Sequence, residues 1–168
     1  VDLRATDQVT GGGLTSGFES VDASASVAAV NITGGNSPIA PGAASGWLIG
    51  GSANDIISAG SAGAIIIGGL GSDQLLGGAG SDGFIFNAAA EYGATETVNG
   101  GDGYDQISAN VTMSFLGSGI SNVEQLTAFD GTTITFSAAN AANLTVGGRY
   151  YNGTTETFIV TLASGETA

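Results

Sequence analysis

The sequence contains no cysteine, no histidine and no lysine, and its only basic side chains are Arg4 and Arg149. Each absence excludes a class of chemistry. Without Cys or His there is no Ser-His or Cys-His nucleophile pair, no thiolate metal site and no imidazole proton shuttle. Without Cys no disulfide can staple the fold, so packing or a metal must hold it. No run approaches the roughly 18 apolar residues of a membrane span, and Val1 to Thr10 lacks the basic region and apolar core of a cleavable signal. Carboxylates, hydroxyls and backbone are what remain for function.

The chain has 168 residues with 30 Gly and 15 acidic residues, for a formal net charge of −13. Such a surface repels phosphate backbones and anionic headgroups, so nucleic acid and membrane insertion are excluded as roles and cations are the natural partners. A hydrophobic fraction of 42% with only 10% charged residues argues for a folded domain rather than disorder. No basic side chain lies between Arg4 and Arg149, yet most of the acids do, so those carboxylates have no counter-charge from the protein.

A nine-residue phase organises the middle of the chain. From Pro41 it reads PGAASGWLI, GGSANDIIS, AGSAGAIII, GGLGSDQLL and GGAGSDGFI, ending at Ile85. After a five-residue slip at Phe86 to Ala90 it resumes as EYGATETVN from Glu91 and GGDGYDQIS from Gly100. The units beginning at Gly68, Gly77 and Gly100 match the calcium-binding β-helix pattern G-G-x-G-x-D-x-U-x, where U is a large apolar residue. Paired glycines allow a tight six-residue turn, and the last three residues form a short strand whose middle side chain points inward. The inward column is then Leu48, Ile57, Ile66, Leu75, Phe84, Val98 and Ile107, all apolar.

Two units complete one coil, so equivalent residues of stacked coils lie about 4.7 to 4.9 Å apart. An ion midway between their oxygens has bonds of roughly 2.4 Å, within the calcium range and longer than magnesium accepts. The expected pairs are Asp55 with Asp73, Asp73 with Glu96, and Asp82 with Asp105, while Asp82 faces Ala64 as a half-site. Asn54 and Asp102 are candidates to complete coordination, although Asp102 fits equally well as a surface acid. Glu91 replaces Glu96 if the slip lies later. Gly46 and Ala64 stand where an aspartate is expected and Ala59 where a turn glycine is, so the first coils should bind calcium poorly.

These nonapeptides resemble the RTX (repeats-in-toxin) family over Gly50 to Ser108, and more weakly over Pro41 to Ile49. GFESVDASA near Gly17 and SNVEQLTA near Ser121 also look like segments that flank such repeats in large bacterial surface proteins. The resemblance implies an all-β, right-handed parallel β-roll or solenoid with calcium-binding turns. It further implies type I secretion from a Gram-negative cell and folding outside it, where calcium is millimolar. Members range from toxins and proteases to adhesins and S-layer proteins, so the resemblance leaves the job open.

Three segments follow: a β-rich flank at 1–40, the nonapeptide roll at 41–108, and a β-rich cap or assembly segment at 109–168. Val21, Val30 and Ile39 extend the nine-residue phase into the first. In the last, VTMSFL, NVEQLTAF, TTITFS, NLTVGGRYY and ETFIVTLAS read as strands, with a hairpin turn at Asn152-Gly153 and a short helix at Ala138 to Ala142. Outward strand positions carry Trp47, Ile49, Ile65, Ile67 and Ile85, an apolar face to be covered by the chain's own termini or by another molecule.

The acids fall at calcium-turn positions and no other catalytic constellation remains, so the chain reads as a non-enzyme. Low pI, abundant small residues and strands throughout suit an extracellular structural subunit. That subunit self-associates, as a homo-oligomer or polymer, into a cell-surface layer or filament through the apolar face and the open solenoid ends. The alternative is a C-terminal folding and secretion module of a larger secreted enzyme or adhesin.

Overall fold

A computed structural model describes residues 20–34, 46–116, 119–129, 131–137, 144–149 and 157–161. Among the described residues fifteen strands, all paired in parallel, form a β-solenoid of about five turns. Through the nonapeptides each strand is only three to five residues long, and at β3, β5, β6 and β8 a glycine pair at or just past its end turns the chain back. Gly78 (φ 105°) and Gly101 (φ 98°) show why glycine is needed, since each lies in the left-handed region and a Cβ on either would strike a carbonyl of the adjacent coil.

Three sheets wrap the core. The largest runs β1 (Val21–Asp22), β3 (Gly46–Ile49), β5 (Ala64–Ile67), β7 (Gly83–Phe86), β9 (Gln106–Ala109), β12 (Gln125–Phe129) and β14 (Thr145–Arg149). The second runs β2 (Asn31–Thr33), β4 (Ile56–Ser58), β6 (Gln74–Gly78), β8 (Thr97–Gly101) and β11 (Gly119–Ser121). The third, β10 (Met113–Phe115), β13 (Thr133–Ser137) and β15 (Thr157–Thr161), begins only after the nonapeptides end. The solenoid is therefore two-sided through the repeats and gains a third side beyond them.

Register follows the nine-residue phase. Leu48 aligns with Ile66 and Ile66 with Phe84, while Ile57 aligns with Leu75. The five-residue slip appears as the longer steps from Leu75 to Val98 and from Phe84 to Ile107. All seven expected inward side chains are buried. The inserted residues form a short 3-10 turn, Ala89–Glu91, followed by Tyr92, whose ring packs edge-on against Phe86 and Phe115. Phe86 and Phe115 also meet edge-on, with centroids 5.6 Å apart. This aromatic cluster fills the place where the cross-section widens to admit the third sheet.

The flanks differ from expectation in detail. Val21 faces the core beside Leu48, but the residue aligned with Ile57 is Ile32 and not Val30, although Val30 is buried as well. Val30 sits two residues earlier, where later coils carry an acid, because this coil is longer than a nonapeptide pair. Ile39 lies outside the described residues. All five C-terminal strand signals become strands, yet β14 and β15 join different sheets, so they are successive sides of a coil and not a hairpin. Pairing in parallel with β12 and β13 continues the ladders already present and covers their edges. Asn152-Gly153 and the expected helix at Ala138 to Ala142 lie outside the described residues.

Candidate cation site: two carboxylate ladders

Each ladder acid stands two residues before an inward apolar side chain, at the point where a turn enters a strand. Strand stacking then places the acids one above another. On one side of the roll the column is Val30, Asp55, Asp73, Glu96; on the other it is Ala64, Asp82, Asp105, Glu124.

The columns are tied by one repeated bond. The backbone N–H of Asp55 donates to Asp73 Oδ1, that of Asp73 to Glu96 Oε2, and that of Asp82 to Asp105 Oδ1, each at 2.7 Å. The same bond runs from Asp105 N–H to Glu124 Oε2 at 2.8 Å, and the N–H groups of Val30 and Ala64 close the tops on Asp55 and Asp82. One oxygen of each carboxylate thus satisfies a strand-entry amide that no sheet partner reaches.

The other oxygens divide the acids. Asp55 Oδ2 accepts the N–H of Gly51 at 2.7 Å, so Asp55 is fully satisfied by the chain. Asp73 Oδ2, Asp82 Oδ2, Asp105 Oδ2 and Glu96 Oε1 are buried and have no hydrogen-bond partner. Asp73, Asp82, Asp105 and Glu96 are each at most 3% exposed, so water does not supply the missing donors freely. Asp82 Oδ2 lies 2.6 Å from where a Cβ on Gly77 would stand, and the Gly100 carbonyl oxygen of the next coil reaches the same point. The absence of a side chain at the first glycine of a unit therefore makes a small cradle into which two oxygens converge.

Burial without donors disfavours the ionised form. It raises Asp73 to about 6, helped by the charge of Asp55, and Asp82 to about 6, helped by Asp105. Glu96, the most enclosed, is pushed up to about 8 by burial and by the charges of Asp73 and Asp55. Asp55 and Asp105 are also raised by burial, in Asp105 with a contribution from Glu124. Buried acceptors of one sign, with carbonyl oxygens beside them, suit a hard cation that takes six to eight oxygen ligands. Among the described residues no three acids come together as a ready-made metal cluster; the ladder acids meet in stacked pairs.

The structure therefore stacks Asp55, Asp73, Asp82, Glu96 and Asp105 in the pairs expected from the repeat. It places Asn54 and Asp102 elsewhere. Asn54 is exposed and its Oδ1 accepts Ser72 N–H at 3.0 Å, bracing the next turn from outside. Asp102 is exposed, with its backbone N–H on Gly78 O at 2.8 Å. Glu91 accepts Asn87 N–H within the inserted turn, so Glu96 holds the ladder position. Glu124 escaped the nine-residue alignment because only Val123 separates it from Asn122, whereas four residues separate Gly100 from Asp105. The signal that finds it is the acid two residues before an inward apolar side chain, Glu124 before Leu126.

The apolar outer face is contiguous. Trp47 aligns with Ile65 and Ile49 with Ile67 across β3 and β5, and Trp47 is 41% exposed. Gly83 lies between Ile65 and Gln106 in the neighbouring strands, and its missing side chain opens a depression of about 400 Å³ that Ile85 and Phe129 also line. Comparison of the chain with protein-family models, with curated proteins and with solved structures gives no match.

Proposed function

We propose that the chain is a secreted, non-catalytic calcium-binding structural protein that folds on calcium and self-associates into a cell-surface layer or extracellular filament. The observation that carries the calcium reading is the set of buried carboxylate oxygens without donors, on Asp73, Asp82, Glu96 and Asp105. Calcium held between Asp55 and Asp73, Asp73 and Glu96, and Asp82 and Asp105 supplies the positive charge that this chain lacks. In the same step it offsets a net charge of −13 that opposes close assembly. Self-association rests on the outer face around Trp47 and Ile65 and on the sheet edges that a solenoid leaves at its ends. The RTX resemblance of the nonapeptides supports secretion and folding outside the cell.

The test is molar mass by light scattering as calcium rises from chelated conditions through about 10⁻⁴ to 10⁻² M, the range of extracellular calcium modules. Growth into large, chelator-reversible particles is the expected result. A mass fixed at one chain while calcium binds overturns the assembly reading and favours a folding and secretion module of a larger protein. No calcium binding overturns the proposal at its base.

A further inference from the structure

We infer that the second ladder carries one cation site beyond its nonapeptides, between Asp105 and Glu124, with the backbone carbonyl of Asn122 as a third oxygen. The inference rests on the calcium reading above and adds a ligand, Glu124, and an ion to it.

The geometry repeats one coil further on what the nonapeptides build. At Gly77 a Cβ would meet both Asp82 Oδ2 and the Gly100 carbonyl oxygen; at Gly100 it would meet both Asp105 Oδ2 and the Asn122 carbonyl oxygen. Asp105 N–H donates to Glu124 Oε2 as Asp82 N–H donates to Asp105 Oδ1. Asp105 is fully buried and its Oδ2 has no donor, so this cradle holds an unpartnered anionic oxygen as the one above it does.

The segment achieves this without the repeat. Asn122 is the one non-glycine with positive φ (50°) among the described residues, a conformation that Asn tolerates better than most side chains. It turns the chain within three residues, and its side-chain N–H₂ is held on Asn99 Oδ1 at 2.8 Å. Such a short turn brings the acid to the ladder by a different path from the six-residue turn, and a glutamate stands there, as it does at the irregular turn of Glu96. The ladder thus loses a carboxylate at Ala64 and gains one at Glu124, shifting its ion-binding length one coil toward the C-terminal side. Glu124 is only half-buried, so its site is the wettest of the set and should fill last.

The test is calorimetric calcium titration of the full chain. Four equivalents are expected for the parent chain and three for Glu124→Gln, with the weakest equivalent lost and the circular dichroism in calcium retained. Glu91→Gln, which removes a carboxylate outside the ladders, should keep all four. A Glu124→Gln chain that folds and binds as many ions as its parent overturns the inference and leaves the calcium reading standing. A parent chain that binds no calcium overturns both. If Glu124→Gln does not fold, terbium replaces calcium and Tyr104→Phe replaces Glu124→Gln. Tyr104 is exposed and its hydroxyl lies 3.5 Å from Oε1 of Gln125, the neighbour of Glu124, so its loss should lower tyrosine-sensitised emission at the step where the last terbium binds, and unchanged emission at that step overturns the site.

Discussion

The backbone amide of Asp82 donates to Asp105 Oδ1 at 2.7 Å, while Asp105 Oδ2, fully buried, has no donor at all. One half of the carboxylate is thus part of the backbone's hydrogen bonding and the other half is left as uncompensated charge. A change that removes such an acid alters both, and the two effects separate when calcium is varied.

Asp73→Ala should therefore behave differently from Asp102→Ala. In calcium, Asp73→Ala leaves the buried N–H of Asp55 without its acceptor and removes a ligand shared by two proposed sites, a loss of at least about 1–3 kcal/mol. Asp102→Ala, at an exposed position, should stay within about 0.5 kcal/mol of the parent. In chelator the Asp73→Ala penalty should shrink, because a costly buried charge leaves with the ligand. Denaturant unfolding in both conditions measures this, and equal effects of the two variants in calcium overturn the assignment of ladders.

Any fold retained in chelator should weaken as pH rises. The ladder acids have folded pKa values above their ordinary ones, so between those values the folded chain binds more protons than the unfolded chain, and stability falls with increasing pH. The fall should begin near the ordinary carboxylate range, continue through about 6 for Asp73 and Asp82, and finish near 8 with Glu96. Each unit of separation is worth about 1.4 kcal/mol per group. Thermal melts from pH 4 to pH 9 test the sign; a midpoint that rises over this window contradicts the burial of unpaired carboxylates. Added calcium, which competes with the protons, should flatten or reverse the slope.

Gly68→Ala tests the cradle directly. The nearest atoms to a Cβ at Gly68 all belong to the Asp73 side chain, so the substitution must displace that carboxylate and weaken calcium binding. In an Asp73→Ala background the two closest of these atoms are gone and only the Cβ at 3.3 Å remains, so the same methyl is accommodated more easily. A double-mutant cycle should show a coupling of about 0.5–3 kcal/mol, and additive effects would mean that the glycine and the acid do not share this space.

Phe115→Ala should cost about 3–5 kcal/mol, the usual range for a fully buried aromatic, because it opens the cluster with Phe86 and Tyr92 where the third sheet begins. The denaturant midpoint measures the loss. A variant near parental stability would show that the widening is not held by these rings.

Trp47→Glu should block growth of particles in calcium while leaving the circular dichroism and ion stoichiometry unchanged, since Trp47 is exposed and the ladder positions beside it hold Gly46 and Ala64 rather than acids. Assembly that proceeds as in the parent removes the apolar face from the proposed contact.

Much of this architecture is legible in the linear sequence because a solenoid is locally encoded. Leu48, Ile57, Ile66, Leu75, Phe84, Val98 and Ile107 face inward since each coil repeats the same turn and strand, and the slip after Ile85 shifts the register without inverting it. For the same reason Asp55, Asp73, Asp82, Glu96 and Asp105 were assignable to stacked pairs from their spacing alone. What only the tertiary structure decided lies where coil length departs from a multiple of nine. Ile32 rather than Val30 takes the strand position that pairs with Ile57, β14 and β15 continue separate sheets instead of folding into a hairpin, and Asn122 turns the chain in so few residues that Glu124 joins a ladder it does not share a repeat with. Spacing predicts neighbours while every coil has the same length; once coil lengths vary, only the pairing of strands across coils determines which side chains meet.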